Sequence, residues 1–166
     1  IRPPDLSYTS KSDWLAARDI PKESNLGASE LAIPPSLSPF QQFDSLVKQK
    51  RGDLSQKPKT TRKMNMGTAL EPYLITHAAD GHPILPRSPW SAWKHPKCRL
   101  AATPDAVLQD EATGIECKAS GEEPWKDIPS YYRAQGYAQI ECASLEVVRF
   151  RVIFLPKDVM NLDIYV

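Results

Sequence analysis

Two short segments decide the fold of this chain: TPDAVL at residues 103–108 and GIECK at residues 114–118. Each segment carries an apolar run that favours a strand, and the polar residues between them are typical of a turn. The sequence therefore predicts a β-hairpin. Because side chains of a strand alternate between its two faces, Glu116 and Lys118 are expected on the same face.

The centre of the turn decides which acidic residue meets the lysine. If the hairpin is centred near Glu111 and Ala112, Asp105 returns beside Lys118, and two carboxylates share a small patch with an amine. Carboxylates this close raise each other's pKa unless a cation lies between them. Oxygen ligands suit Mg²⁺ or Mn²⁺, which can activate a water and stabilise charge on a phosphate. The pattern with Glu116 therefore indicates metal-assisted hydrolysis.

A purely structural interpretation of the same residues is also open. Asp105 can cap a turn, and Glu116 and Lys118 can form an exposed pair on one strand face. Such an exposed pair contributes little to stability.

Composition indicates one soluble domain over residues 1–166, because the chain has 166 residues, 41% of them hydrophobic and 25% charged. No apolar run approaches the roughly 18 residues that a membrane span needs, and the first residues do not form a signal peptide. The net charge of +1 means that any basic surface for nucleic acid is local. One basic stretch, residues 48–63, can be a solvated face or can follow a phosphate backbone.

The three cysteines, Cys98, Cys117 and Cys142, are widely spaced and odd in number. This spacing argues against a disulfide framework and against a zinc or iron–sulfur site. A reducing, cytoplasmic location fits best. The sequence contains no G-x-S-x-G segment and no phosphate-binding loop, which weakens the case for a serine hydrolase or an NTPase.

Apolar periodicity and boundary residues predict a short helix at residues 14–17 and longer helices at residues 38–52, 64–79 and 130 to about 142. The 64–79 segment is the longest of them.

Strands besides the hairpin are predicted at residues 98–102, 146–155 and 162–166, the second of them as a central strand. The order of elements indicates an α+β domain with a central mixed β-sheet flanked by helices.

Each of three further polar residues has two interpretations. Glu71 lies on or beside the apolar side of the 64–79 helix, where a carboxylate is costly unless paired, or it completes a capping box with Thr68. Ser29 begins a helical turn, where N–H groups favour an anion, or it only caps that turn. Gln135 shares one helix face with Tyr131 and Gln139, or occupies an ordinary exposed position.

The helix with Glu71, the strands with Asp105, Glu116 and Lys118, and the helix with Gln135 resemble the PD-(D/E)xK nuclease superfamily, with its restriction-endonuclease-like core. Within it the chain resembles the phage lambda-type exonucleases, the YqaJ-like viral recombinase family. The matching segments are LGASE at residues 26–30, NMGTALEP at residues 65–72, ATPD at residues 102–105, GIECK at residues 114–118 and YRAQ at residues 132–135. Tyr137 stands where many relatives have a second glutamine.

The resemblance implies a role for each matching residue. Asp105, Glu116 and the backbone carbonyl of Cys117 would bind the metal, and Glu71 would bind or orient a second ion. Lys118 would position and activate the nucleophilic water.

Three further residues complete the set that the resemblance implies. Gln135 would hold the water or the scissile phosphate, and Arg18 and Ser29 would grip the 5′-phosphate of the DNA.

The resemblance further implies a 5′-to-3′ exonuclease for double-stranded DNA ends that uses two Mg²⁺ or Mn²⁺ ions. It implies a ring-shaped homotrimer in the host cytoplasm that leaves 3′ strands for a single-strand annealing protein. Two alternatives stay open: another nuclease of the superfamily, RecB-like or a restriction endonuclease, and a non-catalytic DNA- or protein-binding module on the same fold.

Overall fold

The structure, a computed structural model, describes residues 3–10, 12–14, 25–33, 39, 41–53, 61–86, 91–109, 112–121 and 124–155. Arg18, the strand predicted at residues 162–166 and most of the helix predicted at residues 14–17 lie outside these ranges. The elements in chain order are β1 (Leu26–Gly27), a 3₁₀ helix (Ala28–Glu30), α1 (Phe43–Arg51), α2 (Arg62–Ala79), β2 (Trp93–Lys94), β3 (Leu100–Ala102), β4 (Ala106–Val107), β5 (Thr113–Ser120), α3 (Ser130–Ala143) and β6 (Val147–Phe154).

The strands form two mixed sheets flanked by helices, which confirms the predicted α+β class. One sheet has the order β1-β3-β2, with β3 parallel to β1 and antiparallel to β2. The other has the order β4-β5-β6, with β5 antiparallel to β4 and parallel to β6. Pro104 lies between β3 and β4 and has no N–H to donate, so the ladder is interrupted there.

The predicted β4–β5 hairpin is present, but its register differs from the expected one. Ala106 pairs with Ile115 and Val107 with Gly114, and the Leu108 N–H donates to the Thr113 carbonyl at 2.9 Å. The turn therefore closes closer to β4 than predicted. As a result Asp105 lies beside Glu116 rather than beside Lys118.

The long strand predicted at residues 146–155 is β6, but it is not central. In the described part of the chain β5 lies between β4 and β6, so β6 forms an edge of its sheet. The central strand is β5, which carries Glu116 and Lys118 and pairs with β4 on one side and with β6 on the other.

The helices differ from the prediction mainly at their starts. α1 begins at Phe43, after Gln42 as N-cap, and ends as expected at Gly52, whose φ is 78°. α2 begins one residue after Thr61, whose side chain accepts the Met64 N–H at 3.2 Å. The prediction that Thr68 and Glu71 form a capping box is therefore wrong, because Thr68 lies inside the helix.

Helices α2 and α3 pack on opposite faces of the β4-β5-β6 sheet. α2 contacts β5, and the buried cluster there contains Ala78, Ala106, Leu108 and Ile115. α3 contacts β3, β6 and the 3₁₀ helix. No helix in the described ranges combines the length and the apolar character that crossing a bilayer requires.

Candidate active site

Strand β5 presents an acid and a lysine toward helix α3. Glu116 is buried, with 4% of its surface exposed, and the Lys118 Nζ atom donates to its Oε1 atom at 2.5 Å. The two residues share a face because they are two positions apart on one strand. The interpretation of Glu116 and Lys118 as an exposed surface pair is therefore wrong.

Helix α3 supplies two glutamines to the same carboxylate. The Gln135 Nε2 atom donates to Glu116 Oε1 at 2.6 Å, and the Gln139 Nε2 atom donates to Glu116 Oε2 at 2.5 Å. Both glutamines are buried, so the alternative of an exposed Gln135 is also wrong. Gln139 was not among the predicted site residues, although its position one helical turn after Gln135 is the signal that places it on the same face.

Asp105 lies directly before β4 and is oriented by β5. Its Oδ2 atom accepts the Cys117 N–H at 2.6 Å. Burial and the nearby charge of Glu116 raise the pKa of the Asp105 carboxyl to about 8, with a further contribution from the charge of Glu71. The cross-strand position thus holds two carboxylates close enough to oppose each other's ionisation.

Glu71, on helix α2, is close enough for its charge to affect the groups around Asp105. Its charge opposes the ionisation of both Asp105 and Cys117. Burial, followed by the charges of Asp105, Glu71 and Glu116, raises the pKa of the Cys117 thiol to about 12. Three carboxylates from separate elements therefore create one region of negative potential.

Lys118 remains an ammonium ion among these groups. Burial acts to lower its pKa, but the charge and the hydrogen bond of Glu116, with the charge of Asp105, raise the pKa above its ordinary value. The Nζ atom also lies 4.9 Å from the ring centroid of Tyr132, a position that favours a cation. These neighbours therefore favour the protonated form of Lys118, which cannot act as a base.

The carboxylate oxygens of Asp105, Glu116 and Glu71 are the kind of ligand that a hard divalent cation prefers. They are not already arranged around a single ion position. Carboxylate oxygens that oppose each other's ionisation are what Mg²⁺ or Mn²⁺ neutralises. Among the described residues, no three His, Cys, Asp or Glu side chains are grouped closely enough to hold an ion as they stand. The oxygens of Glu116 instead accept hydrogen bonds from Lys118, Gln135 and Gln139.

Gln135 also lines a cavity of about 240 Å³, together with Ser29 and Lys94 among other residues. Ser29 itself is exposed, within the 3₁₀ helix. The turn that carries it is fixed by Glu30, whose Oε2 atom accepts the Gly27 N–H at 2.7 Å and lies 2.8 Å from the Lys50 Nζ atom. Ser29 and Gln135 therefore share one cavity, whereas Arg18 lies outside the described residues.

The fold and the site together define a restriction-endonuclease-like α+β structure with a buried acid–lysine centre. Among solved structures, the chain is similar to an alkaline exonuclease, LHK-Exo, from Laribacter hongkongensis. The TM-score is 0.60 at 18% sequence identity, over 88% of this chain and 76% of that one. It is also similar to LHK-Exo in complex with dAMP, with a TM-score of 0.62 at 18% identity over 86% and 73% of the two chains. No protein-family model and no curated protein matches the chain.

Proposed function

We propose that this protein is a metal-dependent deoxyribonuclease, a 5′-to-3′ exonuclease of the phage lambda type that acts on double-stranded DNA ends. The observation that carries the proposal is the buried convergence of Lys118 and Gln135 on Glu116, with Asp105 held by the Cys117 N–H on the same strand as Glu116. The fold shared with an alkaline exonuclease supports it. A buried acid–lysine pair of this kind is costly to maintain in a core that serves packing alone.

The proposed chemistry is hydrolysis of a phosphodiester bond. One or two Mg²⁺ ions, when bound, would supply a hydroxide nucleophile and neutralise charge on the leaving oxygen. Asp105, Glu116 and the Cys117 carbonyl would hold the first ion, and Glu71 would hold or orient the second. The chain's own contribution is to hold these oxygens in place, as the Cys117 N–H does for Asp105 and the Gln135 side chain does for Glu116.

Lys118 acts in this proposal as a fixed positive charge near the attacking water and the phosphate oxygens. We expect Lys118→Ala to lower the rate of duplex degradation by about 100-fold or more, as for removal of one stabilising donor. Acid-soluble nucleotide release from linear DNA measures this, with Lys126→Ala, an exposed lysine, as the matched control. Full activity in Lys118→Ala would show that the lysine takes no part in cleavage.

The cavity beside Gln135 is proposed to receive the 5′ end of the DNA, with Ser29 and Arg18 on its phosphate. We expect Ser29→Ala to reduce the preference for 5′-phosphorylated over 5′-hydroxyl ends by about 10- to 100-fold, because one hydrogen bond to a charged group is lost. Degradation rates of the two substrates, compared in wild type and variant, measure the preference. An unchanged ratio would remove Ser29 from end recognition.

Digestion of linear, nicked and closed circular duplexes tests the exonuclease assignment. We expect degradation of linear DNA in Mg²⁺, none in EDTA, and none of closed circles. Cutting of closed circles would indicate an endonuclease on the same fold, and inactivity on every substrate would leave a non-catalytic binding module.

The proposal also includes assembly and a partner, in the reducing cytoplasm of a host cell. We propose a ring-shaped homotrimer that passes 3′ single strands to a single-strand annealing protein during phage recombination. Light scattering of the purified protein tests the trimer, and a strand-annealing assay with the partner supplied tests the hand-over.

A further inference from the structure

Gln139 is the third donor to the Glu116 carboxylate, and the chemistry proposed above gives it no role. It lies one helical turn after Gln135 in α3 and is 0% exposed. Its Nε2 atom donates to Glu116 Oε2 at 2.5 Å, whereas Gln135 and Lys118 both donate to Oε1. Gln139 is therefore the side chain that holds the second oxygen of this carboxylate.

The orientation of the Gln139 amide satisfies Glu116 but leaves the Gln139 carbonyl oxygen without a hydrogen bond. Its Oε1 atom is buried and has no hydrogen-bond partner among the described residues. A buried acceptor without a partner costs free energy. The reversed amide would place Oε1 against an ionised carboxylate, which only accepts hydrogen bonds. The Gln139 side chain therefore keeps its N–H group on Glu116, although this leaves its carbonyl oxygen without a partner.

We propose that Gln139 is a positioning residue that fixes the plane of the Glu116 carboxylate and thereby makes the site prefer Mg²⁺ to Ca²⁺. This inference rests on the proposed metal-dependent nuclease. Mg²⁺ demands near-ideal octahedral geometry and few protein ligands, whereas Ca²⁺ accepts flexible geometry and both oxygens of one carboxylate. Donors on both oxygens resist the rotation of Glu116 that two-oxygen binding of one ion requires.

Removing the Gln139 amide should weaken Mg²⁺ binding more than Ca²⁺ binding. Gln139→Met keeps the length of the side chain and loses the donor. We expect the MgCl₂ concentration that half-saturates the rise in melting temperature to increase about 10-fold or more, as for loss of a group that orients a metal ligand. The CaCl₂ midpoint, measured in the same way without DNA, should change by less than about 3-fold because Ca²⁺ tolerates a rotated carboxylate.

The exposed Glu141 of the same helix supplies the control, since Glu141→Gln should leave both midpoints unchanged. Midpoints in Gln139→Met that do not move, or that move by the same factor for both ions, would overturn the inference while leaving the nuclease proposal intact. A wild-type protein whose melting temperature responds to neither ion would overturn both. Gln139→Leu is the second variant, and failure of both variants to fold would make Gln139 a structural residue and overturn the inference.

Discussion

Asp105→Asn is expected to abolish DNA cleavage and, in the absence of divalent ions, to make the protein more stable. The Asn side chain keeps an oxygen that can accept the Cys117 N–H, now made by Asp105 Oδ2 at 2.6 Å. It removes the charge that burial, Glu116 and Glu71 oppose. Loss of a carboxylate that we propose to bind the metal should slow cleavage by about a thousandfold or more, equivalent to several kcal/mol of transition-state stabilisation.

The stability effect should depend on pH in a defined direction. The pKa of the Asp105 carboxyl is raised from 3.8 to about 8 in the folded protein, so between these values the folded state binds more protons than the unfolded state. Stability of the ion-free wild type therefore falls as pH rises through this window. At 1.36 kcal/mol per pKa unit the upper bound is about 5–6 kcal/mol, and partial access to water reduces our expectation to about 2–3 kcal/mol.

Urea unfolding in EDTA at pH 4.5 and pH 8.5 measures this difference. The advantage of Asp105→Asn should be small at the lower pH and largest at the higher one, and Mg²⁺ at pH 8.5 should stabilise the wild type only, because an ion that binds the folded state shifts the unfolding equilibrium. Asp127→Asn, a change at an exposed aspartate, is the matched control. A variant less stable than the wild type at pH 8.5 would show that Asp105 serves the fold.

Much of the site could be predicted because it depends on strand and helix periodicity. Two residues of one strand two positions apart must share a face, which placed Glu116 with Lys118. Helical spacing likewise placed Gln135 and Gln139 on one face. These are local rules, and the structure brings both pairs together around the Glu116 carboxylate.

The register of the β4–β5 hairpin could not be predicted by the same rules. It depends on which backbone groups form the hydrogen bond that closes the turn, here the Leu108 N–H and the Thr113 carbonyl. A turn of polar residues is compatible with more than one register of the two strands. The direction of the Gln139 side chain was missed for a related reason. Its partner lies 23 residues away in the chain, and only the packing of α3 over β5 shows that Glu116 needs a third donor.

Glu116→Gln is expected to abolish cleavage as well, but with the opposite effect on stability. The Glu116 carboxylate accepts hydrogen bonds from Lys118, Gln135 and Gln139, and an amide there would turn an N–H group toward at least one of these donors. The Lys118 ammonium would lose the negative charge that now lies 2.5 Å away, while it stays mostly buried. Breaking a buried pair by removing one member costs about 3–5 kcal/mol, and we expect about 3 kcal/mol because Lys118 keeps some access to water.

The double variant Glu116→Gln with Lys118→Met separates the two effects of this change. Methionine removes the uncompensated ammonium and keeps an unbranched chain, so part of the lost stability should return, because a buried pair replaced by apolar groups is often neutral. Cleavage should remain absent in both variants. Urea unfolding in EDTA together with nucleotide release from linear DNA measures both quantities. If Glu116→Gln alone is as stable as the wild type, the ion pair contributes nothing to the fold, and if the double variant cleaves DNA, the carboxylate at position 116 is not part of the active site.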